Sequence, residues 1–213
     1  MSDSFTLAIS QDETEQERCS ARIADCTALI LAGGDSRRMG RDKAALVLGG
    51  RTLLETVTAA MQQVFPQVLV SVRQPRAGVD LPQVCDEVAA SGPLAGLVAG
   101  LAQAKTPWVF AIACDMPFIS SALVEGLAML RGQHQAVVPM VGGFEQPLAA
   151  FYATSAQEAM RTALAAGDRS MRGVLQNLDV RYVSEAELRE TDPQLRSFFD
   201  LDTPQDLQEA QEK

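Results

Sequence analysis

From Thr27 onward the chain alternates short apolar runs with segments of helical period, and no other feature narrows its fold as far. Thr27 to Leu31 has the texture of a buried strand, after which Leu53, Leu54, Val57, Ala60, Met61 and Val64 recur at helical spacing. The pattern continues with a strand at Val68 to Val72, a loop holding Pro75, Gly78 and Pro82, and a short strand at Val84. A helix is expected from Leu94 to Ala104, then a buried strand from Trp108 to Ala113 and a helix capped by Ser120 or Ser121 that runs to about Arg131. Ala136 to Pro139 and Leu148 to Tyr152 are further strand candidates. Ser155 with Glu158, and Ser184 with Glu187, have the form of capping boxes that start helices. Thr203, Pro204 and Asp206 place a cap, a first-turn proline and an acid at the start of a closing helix. Strand and helix in turn select an α/β fold, a mainly parallel central sheet with helices on both faces, because parallel strands need a crossover that packs back on the sheet.

At 213 residues, 47% of them hydrophobic, the chain can bury a sizeable core. Residues 1 to 25 show no period and carry the acidic run Asp12, Glu13, Glu15, Glu17, so they are expected to form a flexible arm, with one domain over residues 26 to 213. No run approaches the ~18 apolar residues of a membrane span, and the start lacks a basic, then apolar, leader. A cytoplasmic location with no membrane partner follows as the expectation. Cys19, Cys26, Cys85 and Cys114 are scattered without a C-x-x-C pair, which reads as free thiols. A net charge of −9 argues against a nucleic-acid surface, since counterion release needs arrayed cations. Arg37, Arg38, Arg41 and Lys43 nevertheless cluster, which can reverse the local field where a phosphorylated small molecule would sit.

That cluster lies in the loop Leu31-Ala32-Gly33-Gly34-Asp35-Ser36-Arg37-Arg38-Met39-Gly40-Arg41-Asp42-Lys43, which leaves the first strand. In open α/β sheets ligands bind beyond the carboxyl ends of strands. Gly33 and Gly34 let the backbone approach an anion and aim its N–H groups at it, while Arg38 and Lys43 meet the remaining charge. An ion pair at 4 Å is worth about 1 kcal/mol in water and about 4 kcal/mol at an effective dielectric of 20, so a partly closed loop gains most. Neither the Walker pattern nor three spaced glycines is present, so neither a P-loop NTPase nor a dinucleotide-binding dehydrogenase is supported. Asp115, directly after the strand Trp108 to Ala113, falls on the same sheet edge and is a hard-cation ligand of the kind magnesium uses with substrate phosphates. His134 reads as a loop residue and Cys114 as a buried small group rather than a nucleophile.

The string from Leu31 to Lys43 resembles the nucleotide loop of the molybdenum cofactor nucleotidyltransferases. Gly92-Pro93-Leu94-Ala95-Gly96-Leu97, Cys114-Asp115-Met116-Pro117-Phe118, Gln146-Pro147-Leu148-Ala149-Ala150-Phe151-Tyr152, Gly167-Asp168-Arg169-Ser170 and Asp202-Thr203-Pro204-Gln205-Asp206-Leu207 look like that family's blocks in its order. The resemblance implies a three-layer, Rossmann-like nucleotidyltransferase fold. Gly33-Gly34 and Gln146-Pro147-Leu148 resemble the guanylyltransferase branch. By position, the resemblance implies GTP contacts at Leu31, Ala32, Gly33, Lys43 and Ser71, with Asp86 near the nucleotide and Asp115 on magnesium and nucleotide. Gly34 belongs to the same nucleotide loop, and Arg38, Lys43 and Asp115 are the candidate catalytic set.

Two departures stand out. Ser71 occupies a place where the family often has Asn, and Asp200-Leu201-Asp202-Thr203-Pro204 replaces the common Asn-x-Asn-Thr-Pro. The second resembles cytidylyl and sugar nucleotidyltransferase endings. Gln146, Pro147, Asp200 and Asp202 are the candidate acceptor-binding residues. The implied reaction moves GMP from GTP to the terminal phosphate of molybdopterin with release of pyrophosphate, and implies molybdenum-inserting and acceptor proteins as further partners. Cytidylyl transfer to the same or another small phosphorylated acceptor, and a non-enzymatic cofactor carrier, are the alternatives.

Overall fold

The computed structural model describes residues 22–33, 42–85, 92–201 and 203–211. The expected N-terminal arm therefore lies almost wholly outside the described residues. Strands β1 (Cys26–Leu31), β4 (Gln67–Val72), β5 (Gln83–Cys85), β6 (Trp108–Ala113), β7 (Ala136–Val141), β9 (Ala149–Ala153) and β10 (Val180–Val183) lie side by side in the order β10-β7-β9-β6-β1-β4-β5. A short β8 (Phe144–Glu145) pairs with β7, and β2 (Val47–Leu48) with β3 (Arg51–Thr52) makes a separate hairpin. β1 is parallel to β4 and to β6, and β4 to β5, as strand and helix alternation requires. β9 runs antiparallel to β6 and to β7, so the sheet is mixed but mainly parallel.

Alternate residues of each strand feed two separate layers. Ala28, Ile30, Phe110, Ile112 and Phe151 join one buried cluster, while Leu29, Val109, Ala111, Ala150 and Tyr152 join the other. Helix α1 (Leu53–Val64) and α3 (Ser121–Met129) cover the first face through Leu54, Val57, Met61, Leu123, Val124 and Leu127. Helix α2 (Gly92–Gln103), α4 (Gln157–Ala165) and α5 (Met171–Leu175) cover the second through Leu94, Leu97, Leu101, Met160 and Val174. Phe65, Phe110 and Phe151 pack at centroid distances of 4.7 to 6.3 Å in the first layer, one pair stacked and two tilted, arrangements that aromatic quadrupoles favour over a face-to-face sandwich. Helix α2 lies very close to the sheet, because Gly96 and Gly100 present no side chain to Ser71, Leu31 and Leu29.

Helix starts follow the sequence in part. At α6 (Glu185–Leu188), Ser184 accepts from the Glu187 N–H while the Glu187 carboxylate accepts from the Ser184 N–H, which is the expected box. Thr203 and Asp206 exchange the same pair of bonds at the start of α7 (Pro204–Gln211). The Ser155 box does not form. Ser155 sits inside a 3-10 turn, Thr154–Ala156, the helix begins only at Gln157, and the Glu158 carboxylate is taken by Arg161 at 2.7 Å. Ser120 precedes α3 without a side-chain cap bond; instead its N–H donates to the Ser197 hydroxyl at 3.0 Å, and the helix ends at Met129. Among the described residues no helix is long and apolar enough to cross a membrane. Cys26, Cys85 and Cys114 are free thiols, as expected of scattered cysteines.

Candidate active site

Parallel pairing brings the carboxyl ends of β4, β1 and β6 to one edge. There the Ala32 N–H donates to the Ser71 carbonyl at 2.9 Å and the Cys114 N–H to the Leu31 carbonyl at 3.2 Å, so three chain exits are tied together. Past Gly33 the chain re-enters the described residues at Asp42, whose carboxylate caps a 3-10 turn, Lys43–Ala45, by accepting from the Ala44 N–H at 3.1 Å. That turn aims Lys43 inward. Its Nζ meets Asp115 Oδ2 at 2.7 Å, and the two side chains are only 20% and 15% exposed. A charge pair this sheltered is screened far less than one at the surface.

Beside the pair opens a cavity of about 220 Å³. Leu31, Ala32, Gly33, Lys43, Ser71 and Asp115 all line it, so the structure gathers into one pocket six of the residues expected to contact nucleotide. Gly92 and Pro93, the first residues of α2, line it as well. Gly92 has φ +70, a conformation that favours glycine, and the 12-residue helix behind it turns its partial positive end to the pocket. Burial, and then the Asp115 carboxylate, push the Cys114 thiol up to about 12, which keeps it protonated and fits the reading of a small apolar group.

Residues 28–183 match the sequence profile of the MobA-like NTP transferase domain. The chain belongs to this family. It is similar to the probable molybdenum cofactor guanylyltransferase of Chloroflexus aggregans, 38% identical over 191 residues that cover 86% of this chain and 92% of the relative. The probable molybdenum cofactor guanylyltransferase of Pelotomaculum thermopropionicum is 35% identical over 190 residues, 88% of this chain and 93% of the relative. Among solved structures, molybdopterin-guanine dinucleotide biosynthesis protein A from Archaeoglobus fulgidus superposes with a TM-score of 0.79 at 29% identity, covering 87% of this chain and 97% of that one. As a MobA-like NTP transferase the chain is a nucleotidyltransferase, and its mixed sheet between helical layers is the fold of that class.

The remaining expected site residues divide by position. Gly34, Arg38, Asp86 and Asp202 lie outside the described residues. Gln146 and Pro147 occupy the turn between β8 and β9, where Gln146 donates its backbone N–H to the Pro139 carbonyl at 2.9 Å and Pro147 accepts from the Tyr152 hydroxyl at 2.8 Å. Neither lines the cavity, but their neighbour Leu148 does. Asp200 is exposed, and the Leu201 N–H after it donates to the Asp115 carbonyl at 3.0 Å, which seats the C-terminal segment against the site. The structure adds Arg73, which lines the cavity, and Arg76, which forms an ion pair with Asp42. Both leave the end of β4, so the strand-end rule that selects Gly33 and Asp115 applies to them equally.

Proposed function

We propose that this nucleotidyltransferase moves the GMP part of GTP onto the terminal phosphate of molybdopterin, releasing pyrophosphate and forming molybdopterin guanine dinucleotide. The observation that carries the reading is the Lys43–Asp115 pair set beside the α2 N-terminus in one cavity, an arrangement suited to a polyphosphate and its counterion. Similarity over 86–88% of the chain to proteins named molybdenum cofactor guanylyltransferase supports guanine as the base and molybdopterin as the acceptor.

The chemistry asks little of the protein beyond placement and charge. A phosphate nucleophile is anionic at neutral pH, so no general base is needed, and in-line attack at the α-phosphorus expels pyrophosphate directly. Lys43 stabilises the charge that develops on the leaving group, together with the backbone N–H groups of the glycine turn. Arg38 is assigned the same task from its place in the loop. The donor set fits a magnesium ion bound largely through substrate. Asp115 lines the cavity, as does Asp42, which is engaged with Arg76 and the Ala44 N–H; the described residues hold no group of three or more metal-ligating side chains, so phosphate oxygens and water would complete the shell of an ion on Asp115. When bound, magnesium would act there as a Lewis acid on the triphosphate. Asp200 and Asp202, with Gln146 and Pro147, are proposed to face the acceptor. The reading carries with it a cytoplasmic location and hand-over to molybdenum-inserting and acceptor proteins.

Pyrophosphate release measured from GTP and from CTP, each with and without molybdopterin and magnesium, tests it. Release that needs GTP, molybdopterin and magnesium together is the expected result. Release from CTP at equal or higher efficiency would replace the base, and GTP binding without release would make the chain a carrier.

A further inference from the structure

The nucleotide cavity has two ends. Lys43 and Asp115 stand at the end formed by β6 and β1, and Ser71 and Arg73 at the end formed by β4. Neighbouring strands lie ~4.8 Å apart, so the two ends are separated by about 10 Å across the order β6-β1-β4. A triphosphate held by Lys43 would leave the β4 end of the cavity for the nucleoside. Ser71 is 4% exposed, and its hydroxyl lies against α2, within 2.4 Å of where a β-carbon on Gly96 would sit. Arg73 is the longer polar group at that end. Its Cγ lies 3.4 Å from the corresponding point on Gly33, which lays the side chain along the glycine turn and into the cavity wall.

The loop that follows Arg73 is fixed rather than loose. Arg76 donates its N–H to Gln83 Oε1 at 2.7 Å, and Gln83 Nε2 donates back to the Arg76 carbonyl at 2.9 Å and to the Val79 carbonyl at 3.3 Å. The Arg76 guanidinium pairs with Asp42, which caps the turn carrying Lys43. One internal brace thus joins the β4 exit to the phosphate end of the site, and a loop so held loses less entropy when its residues meet a ligand.

Resting on the GTP reading above, we propose that Arg73 is a base-reading residue that donates to the O6 and N7 atoms of guanine. The planar guanidinium fork matches those two adjacent acceptors, whereas adenine and cytosine each present an amino donor on the equivalent edge. Arg73 therefore selects guanine by attraction and rejects the other two bases by unpaired donors.

Calorimetric affinities of the full chain for GTP, 7-deaza-GTP and CTP, with magnesium and no acceptor, test this. Wild type should bind 7-deaza-GTP about ten-fold more weakly than GTP, the loss expected for one hydrogen bond from a charged donor. Arg73→Ala should weaken GTP about ten- to hundred-fold and bind GTP and 7-deaza-GTP alike, while Arg73→Lys recovers part of the difference. The proposal is overturned if wild type binds the two purine nucleotides equally, or if Arg73→Ala weakens all three nucleotides by one common factor, the mark of a phosphate contact. A wild type that binds GTP yet transfers nothing would break the transfer reading and leave the arginine result standing. A wild type that transfers GMP while Arg73→Ala keeps full affinity and preference would break this proposal alone.

Discussion

Gly96→Ala should damage the site more than it damages the fold. A β-carbon at Gly96 would stand 2.4 Å from Ser71 Oγ and 2.8 Å from Leu31 Cδ2, whereas non-bonded carbons rest at about 3.5–4.0 Å. Relief needs a shift of roughly 1 Å in α2 or in the strand ends beneath it. Overpacking of this kind costs about 1–3 kcal/mol, and the upper part of that range applies because β1 and β4 are held by pairing on both sides. Alanine regains about 0.8–1.0 kcal/mol of helix propensity over glycine, leaving a net loss of about 1–2 kcal/mol. For a chain of this size the melting temperature should fall by about 2–8 °C. Activity should suffer further, because Ser71 and Leu31 are cavity walls, and a displacement of about 1 Å at a binding wall can cost up to a hundred-fold in turnover. Gly126→Ala is the control. Its β-carbon would meet only the exposed Thr191 side chain, at 3.3 Å, so helix propensity should win and stability rise slightly. Thermal unfolding by circular dichroism and initial rates of pyrophosphate release read both effects. A Gly96→Ala protein as stable as wild type, with an unchanged KM for nucleotide, would refute the close-packing account.

Asp115→Asn should lower turnover at least about a hundred-fold with little change in melting temperature, and Lys43→Ala should raise the KM for GTP; steady-state kinetics beside unfolding scans separate the two. Ser184→Ala removes a formed capping box and should cost about 0.5–2 kcal/mol in chemical denaturation. The Glu187 carboxyl is held below the usual carboxylate range by the Ser184 hydroxyl and N–H and then by Arg181, so its stabilisation is complete above the ordinary value near 4.5 and is lost as pH falls through the lowered folded value. The stability gap between wild type and Glu187→Gln should accordingly be flat at neutral pH and close in acid. Native-state alkylation read by mass spectrometry should label Cys85, which is exposed, and spare Cys26 and Cys114, whose thiols burial pushes up.

The elements that are plain in the sequence are those whose signal is local. β6 is an unbroken apolar run and β1 is apolar apart from the buried Thr27, and α1 shows its buried stripe at helical spacing. The hairpin of β2 and β3, the two-residue β8 and the edge strand β10 carry no such run, since Val47, Phe144 and Tyr182 are exposed; β2, β3 and β8 are two-residue strands made by tight local hairpins, and β10 is made a strand by pairing with the distant β7. The Ser155 box fails for a related reason. The chain leaves β9 pinned by the Thr154 N–H on the Pro107 carbonyl at 2.9 Å, so the first turn after it winds tightly and the helix starts beyond the would-be cap.

The same distinction governs the site. Asp115 and Lys43 are legible because each sits where a local rule looks, directly after a buried strand or inside a glycine loop. Their 2.7 Å contact, across 72 positions of sequence, follows once β1 and β6 are known to be neighbours. Arg73 follows β4 just as Asp115 follows β6, and what hides it is the strand order, because only the placement of β4 against the far side of β1 turns a loop cation into a wall of the nucleotide cavity. Arg76 is one step more remote: it does not line the cavity but pairs with the Asp42 carboxylate that also caps the Lys43 turn. Charge that reaches a ligand through a neighbour's cap cannot be read from spacing, however regular the elements that carry it. If Asp42 does couple these two cations, Arg76→Ala should loosen the Lys43 turn and weaken GTP without altering the preference for guanine over cytosine, whereas Arg73→Ala should change both.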